Sequence, residues 1–202
     1  MKKIILITIS LCFFLNVNAQ RKKSQQYDLK SSQLSGLKFR SVGPAFMSGR
    51  IADIAINPEN ENEWYVAVGS GGVWKTSNSG TTWTPIADDQ PFYSTGSITI
   101  DPHNSSKIWL GTGENVGGRH VGIGHGVYMS ENGGKKWKDM GLKSSEHISK
   151  IIVSPNDPNL VFVASQGPLW SSGGDRGLFR STNGGEDWEN VLSVNEWTGV
   201  TD

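Results

Sequence analysis

The chain has 202 residues, with 19 basic and 19 acidic side chains, 36% hydrophobic residues and a single cysteine, Cys12. Balanced charge excludes a surface built to follow a phosphate backbone, so nucleic acid is not an expected partner. One cysteine excludes an internal disulfide framework, and no cofactor is expected.

Lys2 and Lys3, an apolar run from Ile4 to Leu15 and the small residue Ala19 before Gln20 read as a secretory signal peptide over residues 1–19. The run is too short to cross a hydrocarbon layer of about 30 Å as a stable helix. Leu11 stands before Cys12 where a lipoprotein signal would carry a small residue. The expected product is exported to the periplasm, the cell surface or the medium, without a stable membrane span. Residues 20–36, opening on Arg21, Lys22 and Lys23, read as a polar linker.

The strand signals then come in repeats. I-A-I-N-P (Ile54 to Pro58), W-Y-V-A-V (Trp64 to Val68) and G-V-W-K-T (Gly72 to Thr76) lead into the box T-S-N-S-G-T-T-W, Thr76 to Trp83. I-T-I-D-P, I-W-L-G-T and G-V-Y-M-S lead into S-E-N-G-G-K-K-W, Ser130 to Trp137. I-V-S-P, L-V-F-V-A and G-L-F-R-S lead into S-T-N-G-G-E-D-W, Ser181 to Trp188. Each box tryptophan opens a fourth strand. Four short strands per unit of 44 to 54 residues is the pattern of a β-propeller blade. The expected fold class is therefore all-β: an incomplete β-propeller of four-stranded Asp-box (BNR) blades over residues 37–202. The blades span about 51–90, 95–142 and 148–193, and the next begins near residue 199. Further sequence beyond Asp202 is expected to complete the ring.

The box residues are expected to be structural. Thr76, Ser130 and Ser181 can satisfy turn amides. Asn78, Asn132 and Asn183 tolerate left-handed geometry, and Gly80, Gly134 and Gly185 supply positive φ. Trp83, Trp137 and Trp188 are expected to cover the hairpin.

Function is expected on the opposite face, where Gly111 to Gly126 and Ser165 to Gly177 lengthen the connections between second and third strands. Ligand-binding candidates there are Asn115, Arg119, His120, His125, Gln166, Trp170 and Arg176, joined by Glu146 and His147 from the entry to the third blade. Glu114 and Asp175 are the carboxylates available for catalysis. The competing reading has Glu114 and Asp175 paired with Arg119 and Arg176 to brace the loops, with Trp170 packed. His120 and His125 with Glu114 sit in a glycine-rich loop that would not fix both rings, so no metal is expected. Gly69 to Gly72 lacks a following Lys-Ser/Thr pair and reads as a turn, not a phosphate loop. No elbow motif supports a Ser/His/Asp nucleophile.

With F-R-S-V-G-P-A (Phe39 to Ala45), G-S-G-G-V-W-K-T (Gly69 to Thr76), S-E-H-I-S-K-I-I-V-S-P (Ser145 to Pro155) and Q-G-P-L-W-S-S-G-G-D-R-G-L-F-R-S (Gln166 to Ser181), the chain from about Leu37 onward resembles the sortilin-type (VPS10-like) group of Asp-box proteins. Its likeness is to the large exported bacterial members of the YVTN/BNR-repeat class. It is similar, more distantly, to the tandem-propeller glycoside hydrolases that cut xyloglucan, and to sialidases in the boxes. The first resemblance implies capture of a peptide, protein or glycan ligand on the looped face without catalysis. The second implies hydrolysis by two carboxyl groups, one of them an Asp in a first-blade turn. Gly69 occupies that Asp position in V-G-S-G-G, Val68 to Gly72. Sialidases carry an F-R-I-P motif, whereas Phe39 and Arg40 are followed here by Ser41 and Val42. Three functions follow: non-catalytic recognition, glycoside hydrolysis with part of the machinery beyond Asp202, or assembly of a larger complex.

Overall fold

The computed structural model describes residues 30–34, 36–37, 49–115 and 121–202. The signal-peptide reading, most of the linker, the Phe39 to Ala45 segment and the candidates Arg119 and His120 lie outside the described residues. The chain divides into two compact units, residues 1–44 and 45–202. In the first, α1 (Ser31–Leu34) is one helical turn, opened by the Lys30 amide donating to the Gln33 side chain at 2.9 Å.

Among its described residues the second unit contains three four-stranded antiparallel sheets. The first runs β1 (Ile51–Ile56), β2 (Trp64–Val68), β3 (Gly72–Thr76) and β4 (Thr84–Pro85). The second comprises β5 (Thr95–Asp101), β6 (Asn104–Thr112), β7 (Val127–Ser130) and β8 (Lys138–Asp139). The third comprises β9 (Ile148–Val153), β10 (Val161–Ser165), β11 (Gly177–Ser181) and β12 (Glu189–Leu192). Each sheet is one blade, with strands in sequence order. β5 packs against both β1 and β9, so the first strands gather side by side and the fourth strands lie outermost.

Alternation along β6 explains how the middle blade is held on both sides. Ile108 and Leu110 join Tyr65, Ala67, Val73 and Phe92 in the core between the first two blades. Trp109, between them in sequence, joins Ile148, Ile151, Val161 and Val163 in the core between the second and third. Period-two side chains thus serve two interfaces from one strand.

The boxes close on themselves. The Thr76 hydroxyl oxygen accepts from the amides of Asn78 (3.3 Å) and Gly80 (2.9 Å), and Asn78 Oδ1 accepts from the Thr82 amide at 2.9 Å. Ser130 repeats this with Asn132 and Gly134 at 3.3 and 2.9 Å, and Ser181 with Asn183 and Gly185 at 3.3 and 2.8 Å. Gly80, Gly134 and Gly185 hold φ of 84°, 86° and 89°. The preceding residue is left-handed too, and in the first blade it is Ser79, at φ 54°. Its hydroxyl donates to Asn62 Oδ1 at 2.7 Å, which offsets the strain of a non-glycine residue there.

The tryptophans reach further than their own hairpins. Trp137 Nε1–H donates to the Ile86 carbonyl of the first blade at 3.3 Å, and its ring meets Phe92 edge-on at 5.9 Å. Trp188 Nε1–H donates to the Met140 carbonyl of the second blade at 2.6 Å. Each therefore staples its blade to the preceding one. Trp83, at the same place in the first blade, leans on Trp64 at 6.4 Å and is 39% exposed.

Candidate functional site

Strand direction alternates within each sheet, so the β2–β3, β6–β7 and β10–β11 connections share one face with the segments entering β1, β5 and β9. The boxes lie on the other face. On the looped face the long connections are laced across blade boundaries, and the lacing decides which candidates are available to a ligand.

Glu114 is 3% exposed. Its carboxylate pairs with the Arg50 guanidinium at the entry to β1, and it accepts a hydrogen bond from the Ser70 hydroxyl at 2.7 Å. The carboxyl group fills the side-chain space of Gly69: an added Cβ there would stand 2.8 Å from Glu114 Oε1. Its ion-pair partner among the described residues is Arg50, which reaches it from the entry to β1. Arg50 and Ser70 were not among the sequence candidates, and their separations of 64 and 44 residues from Glu114 leave no local signal.

His147 is buried and donates from Nδ1 to the Glu114 carbonyl at 2.9 Å. Burial holds the imidazole below its ordinary titration range, against the opposing pull of that hydrogen bond and of the Glu146 and Glu114 carboxylates. Because the unfolded histidine takes up a proton at higher pH than the folded one, its contribution to stability falls as pH drops below about 6.5. A His147→Gln variant is expected to lose that limb of the stability profile, measured by urea midpoints from pH 7.5 to 5. An unchanged slope would show that other groups carry it.

Glu146 is half-buried with φ 57° and ψ −37°, outside the favoured regions for a side-chain-bearing residue. Its carbonyl accepts from the Gly124 amide at 2.8 Å and rests on Gly113, where any Cβ would overlap it. Strain at Glu146 is held in place by the neighbouring blade. Gln166 is buried and ties its side-chain amide to the Asn115 carbonyl at 2.8 Å. His125 is exposed, with its amide on Thr112 Oγ1 at 2.7 Å.

Asp175 is committed to the backbone, accepting from the Ser144 amide at 2.9 Å across the blade boundary. Arg176 is a correction to the sequence reading. Its buried guanidinium donates from Nε to Gly173, from Nη1 to Gln166 (2.6 Å) and Trp197 (3.1 Å), and from Nη2 to Pro168 and Ser171 (3.1 Å), all carbonyls. All five N–H groups are used. Arg176 neither pairs with Asp175 nor has a donor left for a ligand.

Among the described residues the aromatic side chains exposed here are three, beside the aliphatic Ile123 of the β6–β7 connection. Trp170 is 77% exposed, Trp197 62% and Tyr93 64%. Trp170 is in a loop that its length singles out, whereas Tyr93 lies in the connection between the first two blades and Trp197 in the segment after β12, neither of which carries a repeat signal. Among the described residues no group of three or more His, Cys, Asp and Glu could hold a metal ion, and no helix is long and apolar enough to cross a membrane.

No family model matches the chain. The structure of an ancestral GH74 enzyme superimposes with a TM-score of 0.56 at 22% identity, over 72% of this chain and 19% of that one. The structure of YCF48 bound to D1 peptide superimposes with a TM-score of 0.51 at 12% identity, over 73% of this chain and 42% of that one. The fold is that of a β-propeller. In sequence, the chain is 24% identical over 130 residues to a probable oligoxyloglucan-reducing end-specific xyloglucanase of Neosartorya fischeri, covering 58% of this chain. It spans 15% of that relative's length. The propeller is thus a distant homologue of the xyloglucanases.

Proposed function

We propose that the looped face of this propeller is a non-catalytic recognition surface of an exported, sortilin-like Asp-box protein, taking a glycan or polypeptide ligand. One observation carries the reading: both candidate carboxylates are occupied by the protein itself while three aromatic side chains on that face are exposed. Glu114 is buried and neutralised by Arg50, and Asp175 holds a backbone amide. Glycoside hydrolysis uses two carboxyl groups free to face each other across the scissile bond. Exposed Tyr93, Trp170 and Trp197 offer contact area at low entropic cost. YCF48, which shares the fold at 12% identity, has been solved with a bound peptide.

A second reading has its own support. The distant relation to xyloglucanases and the Glu114 carboxyl group lying over Gly69, where xyloglucan-cutting relatives carry an Asp, favour a hydrolase with a relocated carboxylate. Incubating the chain and its Glu114→Gln variant with xyloglucan, and reading reducing ends and bound polysaccharide together, separates the two. Binding without release, unchanged in Glu114→Gln, is the expected result. Release that disappears in Glu114→Gln would overturn the recognition reading.

A further inference from the structure

We infer that Trp170 and Trp197 form a two-indole shelf for the pyranose rings of a neutral glycan, with Arg176 as the positioning residue that sets both. The inference rests on the recognition reading above and narrows its ligand.

A buried guanidinium without a carboxylate partner is costly unless every N–H is satisfied. Arg176 meets that condition with carbonyls drawn from two separate connections. Gln166, Pro168, Ser171 and Gly173 belong to the β10–β11 loop, and Trp197 to the segment after β12. The same two segments are joined again by the Gly173 amide donating to the Glu196 carbonyl at 2.8 Å. Trp170 sits between Pro168 and Ser171, whose carbonyls both bind Nη2. Trp197 is held at its amide by Asn195 Oδ1 at 2.8 Å and at its carbonyl by Nη1. One buried cation thus fixes the backbone beneath two indoles that bury little of themselves. Such preorganisation cuts the ordering cost of binding.

The surroundings select the ligand class. Arg176 has no N–H left for a carboxylate or phosphate, and Asp175 and Glu196 on the same segments repel anions. Exposed Ser171 and Ser172 follow Trp170 in sequence, and exposed Asn195 and Thr198 flank Trp197, so hydroxyl and amide groups neighbour each indole along the chain. Flat apolar faces bordered by neutral hydrogen-bonding groups match a pyranose ring, which presents C–H groups on its faces and hydroxyls at its edge.

The test is titration of the chain with cellohexaose, a neutral β-linked glucan oligomer, followed by tryptophan fluorescence and calorimetry. Trp170→Ala and Trp197→Ala are each expected to weaken binding at least about tenfold, while Trp83→Ala, on the box face, leaves it unchanged. Arg176→Lys, measured well below its own melting temperature, is expected to keep the far-ultraviolet circular dichroism of the wild type yet weaken binding by a similar factor. A purely structural arginine would lower only the melting temperature. Wild-type chain that ignores cellohexaose, or a Trp170→Ala/Trp197→Ala double variant that binds it fully, overturns the inference. Retention on an immobilised peptide library, lost in Trp170→Ala, in place of cellohexaose binding would overturn the glycan assignment and leave the recognition reading standing. Cellohexaose cleavage lost in Glu114→Gln would sink the recognition reading while the tryptophan variants still report on the shelf.

Discussion

Trp137→Ala is expected to destabilise the chain by about 3–4 kcal/mol, and Trp83→Ala, the same change at the same repeat position, by about 1 kcal/mol or less. The difference lies in what each indole touches. Trp137 is half-buried and packs against the core between the first two blades, edge-on to Phe92, and its N–H satisfies the Ile86 carbonyl. Removing it leaves a cavity at a blade boundary and a backbone acceptor without a partner, two costs that add. Trp83 is 39% exposed and leans on Trp64, so alanine there loses mainly one tilted ring contact. Urea unfolding with an unchanged slope gives the comparison directly. Equal losses at the two positions would mean that the tryptophan stabilises its own hairpin and not the joint between blades.

Arg176→Met is expected to cost about 3–5 kcal/mol, although methionine preserves much of the side-chain volume. Five carbonyl acceptors lose a charged donor at once, and hydrogen bonds to charged groups contribute about 1.5–3 kcal/mol each when intact. The cost stays below the sum because the loop opens and water reaches some of those carbonyls. For that reason limited proteolysis is expected to cut the Arg176→Met variant first between Gln166 and Arg176 and between Ser193 and Gly199, before the blades unfold. Trp170→Ala, next to the bound Ser171 carbonyl but itself exposed, is expected to shift stability by no more than about 0.5 kcal/mol. Resistance of the two segments to protease in Arg176→Met would show that other contacts hold them.

The two predictions separate what can be read along the chain from what cannot. The repeat was legible because each box is satisfied within eight residues: hydroxyl oxygen to the amides two and four positions on, asparagine oxygen to the amide four positions on. Such bonds depend only on neighbours in sequence, so the pattern Ser/Thr, Asn, Gly, Trp carries the hairpin wherever it occurs. Strand order followed from the same repeats, because each alternating run bounded by turn residues can pair only with its sequence neighbours inside a blade. The left-handed pair was half legible: glycine marks it in two blades, but Ser79 stands there in the first and its Asn62 partner lies outside the box.

The candidate site was legible as a face and not as an arrangement. Loop length pointed to the β6–β7 and β10–β11 connections, and residue type pointed to Glu114, Asp175, Arg176 and Trp170 as a group. Which of them face solvent was decided by pairings the fold makes: Glu114 with Arg50 and Asp175 with the Ser144 amide across blade boundaries, and Arg176 with carbonyls of its own loop and of the segment after β12. Charge alone suggested that Arg176 would seek a carboxylate, but a planar donor with five N–H groups is satisfied equally by five carbonyls that the folded loops bring to it. The sequence by itself determined the blades, since their turns and strand pairings are local. Only the tertiary structure decided the chemistry of the looped face, because Arg50 and Ser70 reach Glu114, and the Ser144 amide reaches Asp175, from other connections at separations of 64, 44 and 31 residues, and the carbonyls around Arg176 converge only once its loop has folded against the segment after β12.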